Sequence, residues 1–292
     1  MQWDPDRYLT YASPRLRPGL DLMAQIPAAR RALVGDSGPA SGADASAWPA
    51  RICDLGCGTG RITTILAETW PSADITGLDS SAEMLAGARE RSSQIRWLQA
   101  DIDAYANGEV ELGGSDAPGT KVDVLYSNAA LHWLRGHGML FSALFERLAP
   151  GGVLAVQMPQ SFGLPSHQIL RDVLARGDGQ GGPFGSAALR ARFAQPPVKE
   201  PDYYHQLLAR DAAYLDIWST EYLQRLDQPD AVYQWTSGTT LRPILAALDA
   251  AERERFERAY RERLAEAYPR RDDGITLYPF RRLFIVAGRA AA

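Results

Sequence analysis

The sequence of 292 residues predicts an α/β fold: a mostly parallel sheet with helices packed on both faces. Three observations carry this expectation. Between residues 50 and 160, short apolar runs alternate with amphipathic stretches, and parallel strands need helical crossovers of this kind. The run Ile52-Cys53-Asp54-Leu55 leads straight into Gly56, Gly58 and Gly60, and a helical pattern follows. A second acid, Asp79, closes the next apolar run roughly 20 residues on.

Residues 1–34 read as an N-terminal arm with helical stretches, in which Leu20, Leu22, Met23 and Ile26 form an apolar stripe before Pro27. The stretch 35–49 is rich in Gly, Ala, Ser and Asp and has no apolar period, so it reads as a surface insertion. The core spans 50–160. Strands are expected at 51–55, 74–78, 95–99, 122–126 and 153–158, and helices at 60–69, 81–91 and 137–148. Pro150-Gly151-Gly152 should end the last helix, and residues 107–120 form another loop. From 161 to 270 the alternation stops. Residues 177–203 are dense in Gly and Pro and read as a loop or lid, 215–222 as an extended strand, and 243–268 as helical. In that helix Leu245, Leu248, Phe256, Tyr260 and Leu264 share a face, and Arg253–Arg263 reads as the solvated side. Residues 271–292 hold a final buried strand at 275–287.

Composition narrows the function. Hydrophobic content of 46% and charged content of 23% are those of a globular protein. A net charge of −4 argues against nucleic acid as the main partner. Lys121 and Lys199 are the only lysines, so any cationic site must be built from arginine. Cys53 and Cys57 lack the second ligand pair of a zinc site, no metal is expected, and both read as small packing thiols in a reducing cytoplasm. No apolar run reaches membrane-spanning length, and MQWDPDRY carries no signal-peptide pattern. The expected partner is a small molecule, with neither nucleic acid nor membrane, and a monomer is favoured.

The glycine turn is a weak signal alone, because many dinucleotide folds have one. DLGCGTG, followed by GLDSS at 77–81 and Gln99-Ala100-Asp101-Ile102, resembles the class I S-adenosylmethionine (AdoMet) methyltransferases. The resemblance implies a Rossmann-like sheet of seven strands, the last two forming an antiparallel edge, with a helical cap between them. It also implies that the glycine turn packs on the methionine part of AdoMet, Asp79 takes the ribose hydroxyls and Asp101 faces the adenine amine. The chemistry is consistent: AdoMet has no phosphate to hold, and ribose hydroxyls are donors that suit a carboxylate. The implied cofactor residues are Asp54, Gly56, Cys57, Gly58, Asp79, Ser80, Met84, Asp101, Ile102 and Asn128. Met84 either packs on the adenine or belongs to the helix core.

Other pieces resemble one family within that class, the trans-aconitate 2-methyltransferases. They are Trp3-Asp4-Pro5 with Tyr8, Arg17-Pro18, Ala129–Leu134, LAVQMP at 154–159, Asp216-Ile217-Trp218, the Trp235…Gly238…Leu241-Arg242-Pro243 segment, and Arg282–Ala287. The insertions 35–49 and 107–120, Arg281 in place of a proline and His132 in place of a glutamine depart from that pattern. The resemblance implies methyl transfer from AdoMet to a carboxylate of trans-aconitate, giving a monomethyl ester. A carboxylate is ionised at neutral pH, so no catalytic base is needed. Guanidinium forks suit a polycarboxylate. The implied acceptor residues are Arg17, Arg242 and Arg282, with Tyr11, His132, Trp133 and Gln157 as orienting groups. For Trp133 core packing is an equal alternative, and for His132 a structural or base role. The corner Tyr126–Trp133 lacks the Asn/Asp-Pro-Pro-aromatic run of enzymes that methylate amino nitrogens. Alternatives are another small acid as acceptor, an AdoMet-binding protein without activity, and a nicotinamide-dependent oxidoreductase with a similar turn.

Overall fold

A computed structural model of the chain describes residues 16–35, 48–113 and 119–291. Tyr11, the Trp3–Tyr8 pieces and most of the 35–49 insertion lie outside these residues.

Helices α1 (Arg17–Met23) and α2 (Ile26–Val34) each carry a proline in the first turn, where no backbone donor is lost. The alternating core follows: β1 (Arg51–Leu55), α3 (Arg61–Thr69), β2 (Asp74–Asp79), α4 (Ala82–Arg91), β3 (Arg96–Gln99), α5 (Ile102–Ala106), β4 (Val122–Asn128), α6 (His137–Glu146) and β5 (Leu148–Pro159). The remaining elements are α7 (Pro165–Arg176), α8 (Ala187–Phe193), α9 (Pro201–Leu208), β6 (Ala212–Leu226), α10 (Ala231–Ser237), α11 (Arg242–Leu245), α12 (Ala250–Ala267) and β7 (Thr276–Arg289). The seven strands run in the order β3-β2-β1-β4-β5-β7-β6. The ladders from β3 through β5 are parallel. β7 runs antiparallel to β5: Gly151 donates to Ala290 O and Gln160 to Arg281 O, so the register climbs on one strand as it falls on the other. The fold is the α/β, Rossmann-like, mostly parallel seven-stranded sheet that the sequence implied.

Three expectations on secondary structure change. Pro150-Gly151-Gly152 lies inside β5, which begins at Leu148. The register shifts between Val122↔Leu148 and Val124↔Val153, and Gly151 at φ +71° absorbs the extra residues. The Gly/Pro-dense 177–203 stretch contains α8 and the start of α9. Ser186 caps α8 by accepting the Leu189 N–H at 3.1 Å, and Pro201 opens α9. The single helix expected at 243–268 is two, because Asp249 accepts the Glu252 N–H at 2.9 Å and starts α12 anew.

The chain divides into two compact units. One comprises residues up to Met158, Lys199–Ser219 and Leu283–Ala292; the other comprises Pro159–Val198 and Thr220–Arg282. The first is centred on the β1–β4–β5 strands, with Leu55, Leu125 and Val156 fully buried. The second has its own apolar core of α7, α10, α11 and α12, including Leu170, Phe184, Leu241, Phe256 and Tyr260. The charged side of its long helix is solvated, as expected, and carries ion pairs: Arg255 with Asp178 at 2.9 Å and Arg263 with Asp172 at 3.1 Å.

Candidate active site

β1 and β4 are neighbours, and the chain leaves them in opposite directions, to β2 and to β5. Their carboxyl ends form the switch point at which open α/β sheets bind ligands. Everything at this crevice described next belongs to the first unit.

The turn after β1 is held by backbone. The Gly56 and Cys57 N–H groups donate to Leu78 O at 2.8 and 3.0 Å, tying the turn to β2. Gly56 sits at φ +72°, and a Cβ there would fall 2.3 Å from Ala130 Cβ, so glycine lets the turn touch the β4 corner. Gly58 at φ +56° faces open space, and its N–H donates to Asp79 Oδ2 at 2.8 Å. Asp79 Oδ1 accepts the Ser81 N–H at 2.9 Å. The Asp79 carboxylate therefore joins two turns and keeps further lone pairs for a ligand's hydroxyls. Exposed Ser80 accepts a bond from Gln99 Nε2 at its carbonyl, and Ser81 caps α4 through the Met84 N–H.

Met84 is 38% exposed, so it is not a core methionine; Leu85 and Ala88 fill that role on α4. Asp101 is exposed at the N-cap of α5, yet its carboxylate makes no capping bond, and Ile102 beside it is buried. Asp54 is different in kind. It is 2% exposed and accepts the Thr63 hydroxyl at 2.6 Å, beneath the turn. Burial, reinforced by the charge of Asp79, pushes its pKa up to about 7, against the opposing pull of the Thr63 bond. Cys53 and Cys57 are free thiols, both driven upward in pKa by burial.

The end of β4 is the other wall. Tyr126 donates to Gly19 O at 2.7 Å, and a Cβ at Gly19 would fall 3.2 Å from Asn128 Cγ. Helix α1 thus lies against the strand end through a glycine. Asn128 Oδ1 is buried without a hydrogen-bond partner. Ala129 follows at φ +56°, an αL conformation that costs a side-chain-bearing residue about 1–2 kcal/mol. Its N–H donates to Gln157 O at 2.9 Å. Gln157 is the register partner of Asn128 on β5; it is fully buried, and among the described residues neither amide atom has a partner. A buried unsatisfied polar group costs about 1–3 kcal/mol, so these amides are sites for a hydrogen-bonding partner, whether water or ligand.

The short 3₁₀ turn Leu131–Trp133 carries His132 and Trp133, whose rings lie 4.6 Å apart. Trp133 is 53% exposed, which removes its core-packing alternative. His137 holds this turn from below. Its Nε2–H donates to Leu131 O at 3.0 Å, so Nδ1 accepts the Tyr204 hydroxyl at 2.7 Å, and that hydroxyl accepts the Lys199 N–H at 3.1 Å. Burial depresses the His137 pKa, in keeping with the neutral ring these bonds need.

The arginines are dispersed. Arg17 is exposed on α1 and pairs with Asp21 at 3.7 Å. Arg242 and Arg282 belong to the second unit. Arg242 is exposed at the start of α11. Arg282 is 7% exposed in β7 and lies over the Phe280 ring at 4.2 Å. Sequence reasoning missed Thr63, Gly19, the His137–Tyr204 pair, and Trp97, whose ring packs where Cβ atoms on Gly60 and Gly77 would lie. A threonine one turn into α3 is the only one with a local signal, its spacing from Asp54.

The arrangement offers an open glycine turn, an acid at the end of β2 with lone pairs to spare, an acid after β3 that makes no capping bond, and buried amides at the β4 corner. Among the described residues no group of His, Cys, Asp and Glu is placed to hold a metal. No helix among them is long and apolar enough to cross a membrane. Fold and site define an S-adenosylmethionine-dependent methyltransferase, and residues 52–152 match a family model described as a methyltransferase domain. A solved structure, of a proposed sarcosine dimethylglycine methyltransferase from Galdieria sulphuraria, shares the fold at 12% identity and a TM-score of 0.50, covering 94% of this chain and 86% of its own. The sequence is 39% identical to a trans-aconitate 2-methyltransferase of Azoarcus sp. (strain BH72), covering 98% of this chain and 99% of the relative. It is 38% identical to one from Pseudomonas aeruginosa (strain UCBPP-PA14), covering 98% and 94%. The chain belongs to the trans-aconitate 2-methyltransferase family.

Proposed function

We propose that the protein transfers a methyl group from AdoMet to one carboxylate of trans-aconitate, or a closely related small polycarboxylate, in the cytoplasm. When bound, AdoMet would supply an electrophilic methyl on a sulfonium sulfur for transfer to an acceptor oxygen, with S-adenosylhomocysteine leaving and no proton released. The chain's task is then to hold an acceptor that is already ionised. Orientation of this kind supplies roughly 7–11 kcal/mol of barrier reduction in well-aligned cases.

In this reading the turn Gly56-Cys57-Gly58 cradles the methionine part, Asp79 and Ser80 take the ribose, and Asp101, Ile102 and Met84 surround the adenine. Asp54 acts from beneath, through Thr63, by shaping the turn. Asn128 closes the cofactor side of the corner. Trp133, His132 and Gln157 orient the acceptor. Tyr11 is a further orienting group, and Arg17, Arg242 and Arg282 take the carboxylates; these roles, like that of residues 161–270 as a cap, are what the resemblance implies. The family relationship across nearly the whole chain is the observation that carries the choice of acceptor.

The test is an assay with AdoMet and a panel of acids, read by mass spectrometry for methyl esters and by S-adenosylhomocysteine release. Trans-aconitate monomethyl ester is the expected product. Robust turnover of another acid, or of an uncharged acceptor, with none of trans-aconitate would overturn the acceptor. Tight AdoMet binding without any transfer would instead favour a binding protein.

A further inference from the structure

We propose that Gln157 is the contact for the carboxylate that receives the methyl group. This deepens the polycarboxylate reading above and rests on it. The observations are all in the first unit. Gln157 is fully buried, and among the described residues both its amide nitrogen and its amide oxygen lack a partner. Turning the amide over changes nothing, since both atoms are orphaned. Its register neighbour Asn128 carries a second orphaned atom on the same sheet face. Tyr126, two residues earlier on that face, is already committed to Gly19 O.

Position decides which ligand the amide meets. The glycine turn follows β1, Asn128 ends β4 and Gln157 stands near the end of β5, in that order across the sheet. Gln157 is thus one strand further from the cofactor turn than Asn128, about 4.8 Å by ordinary strand spacing. The donor molecule's neighbour is Asn128, and the next partner along the strand ends is the group that accepts the methyl.

The chemistry favours an amide at that point. Methylation turns an anionic carboxylate into a neutral ester. A guanidinium paired with that carboxylate would hold the reactant more strongly than the product and draw electron density from the attacking oxygen. The neutral Gln157 N–H donates to the non-attacking oxygen of the carboxylate and still has the ester carbonyl to donate to, losing less on methylation than a guanidinium would.

The experiment compares wild type with Gln157→Met and Gln157→Glu. It measures AdoMet affinity by calorimetry, trans-aconitate binding in the presence of S-adenosylhomocysteine, kcat and KM for trans-aconitate, and Tm. Gln157→Met keeps the shape and removes the donor. Its kcat/KM should fall by about 10- to 100-fold, because the carboxylate loses the contact that aligns it with the methyl group. AdoMet affinity should stay within about twofold, and Tm should hold or rise as the orphaned atoms disappear. Gln157→Glu should lose more at pH 8 and recover partly towards pH 5.5, as the buried carboxyl takes a proton and becomes a donor. Unchanged turnover in Gln157→Met, with the same or higher Tm, would overturn the assignment while leaving the acceptor identity intact. No binding or turnover of any acid by wild type would overturn both. Loss of AdoMet affinity in Gln157→Met would move the residue to the cofactor side and overturn it as well.

Discussion

The glycine turn of the first unit and the arginines of the second are built on different principles. The turn is made of consecutive residues, and its geometry is set by backbone: two N–H groups on Leu78 O, one on Asp79, and glycines where a Cβ would collide or intrude. Arg242 and Arg282 come from separate elements, one exposed and one buried against Phe280. Cofactor recognition can be written into a short motif because it uses the main chain. Acceptor recognition uses single side chains, and their meaning depends on what surrounds them.

The contrast is broken most severely at Asp79. Replacement by alanine removes the link between two turns and, with it, the proposed ribose acceptor. Hydrogen bonds to charged groups are worth about 1.5–3 kcal/mol, so AdoMet Kd should rise by roughly 10- to 150-fold in calorimetry. An unaltered Kd in a folded variant would contradict the assignment. The converse variant, Arg282→Met, should raise the acceptor KM by about tenfold or more and leave AdoMet Kd unchanged. A rise in AdoMet Kd alone would place Arg282 in the wrong half.

These two variants also mark how far the sequence could be read. The strand-turn-helix at 51–69, Asp79 and Asp101 were legible, because strand ends and glycine turns follow chain spacing. The status of Asp54 was not: only the fold shows that its carboxyl is buried on Thr63 rather than open to a ligand. Gln157 was picked out by family resemblance, but its unpartnered amide is a property of burial that no local pattern encodes. The helices inside 177–203 were hidden by glycine and proline density, although Ser186 and Pro201 were their start signals. Trp133 and Met84 carried two readings each, and exposure separates them.

A smaller effect sharpens the cofactor side through pH. Asp54 has its folded pKa raised to about 7 from an ordinary value near 3.8. Its contribution to stability is therefore greatest below about pH 4 and falls as pH rises towards 7, levelling beyond. A bound sulfonium cation favours the ionised form, so AdoMet affinity should rise through pH 7, by at most about tenfold per unit, with proton release. S-adenosylhomocysteine, without that charge, should show a flatter profile, and Asp54→Asn should flatten the AdoMet curve. His137 works in the opposite sense. Its depressed pKa means that stability present above about pH 6.5 is lost as pH falls towards the folded value.

The smallest expected effect is at Ala129. Glycine there relieves the αL strain, so Ala129→Gly should raise stability by up to about 1 kcal/mol in denaturant melts. A lower kcat with unchanged AdoMet Kd would show that the strained corner orients the acceptor. A destabilised variant would show that the residue's methyl group matters more than its φ.

The most direct measurement is a crystal structure of the protein with S-adenosylhomocysteine and trans-aconitate. The account expects the sulfur beside the Gly56–Gly58 turn and one carboxylate within hydrogen-bond distance of Gln157 Nε2, an oxygen of it pointing at the sulfur. The other carboxylates should lie on arginines. Trans-aconitate bound far from the sulfur, or bound only through surface residues with Gln157 solvated by water, would contradict it.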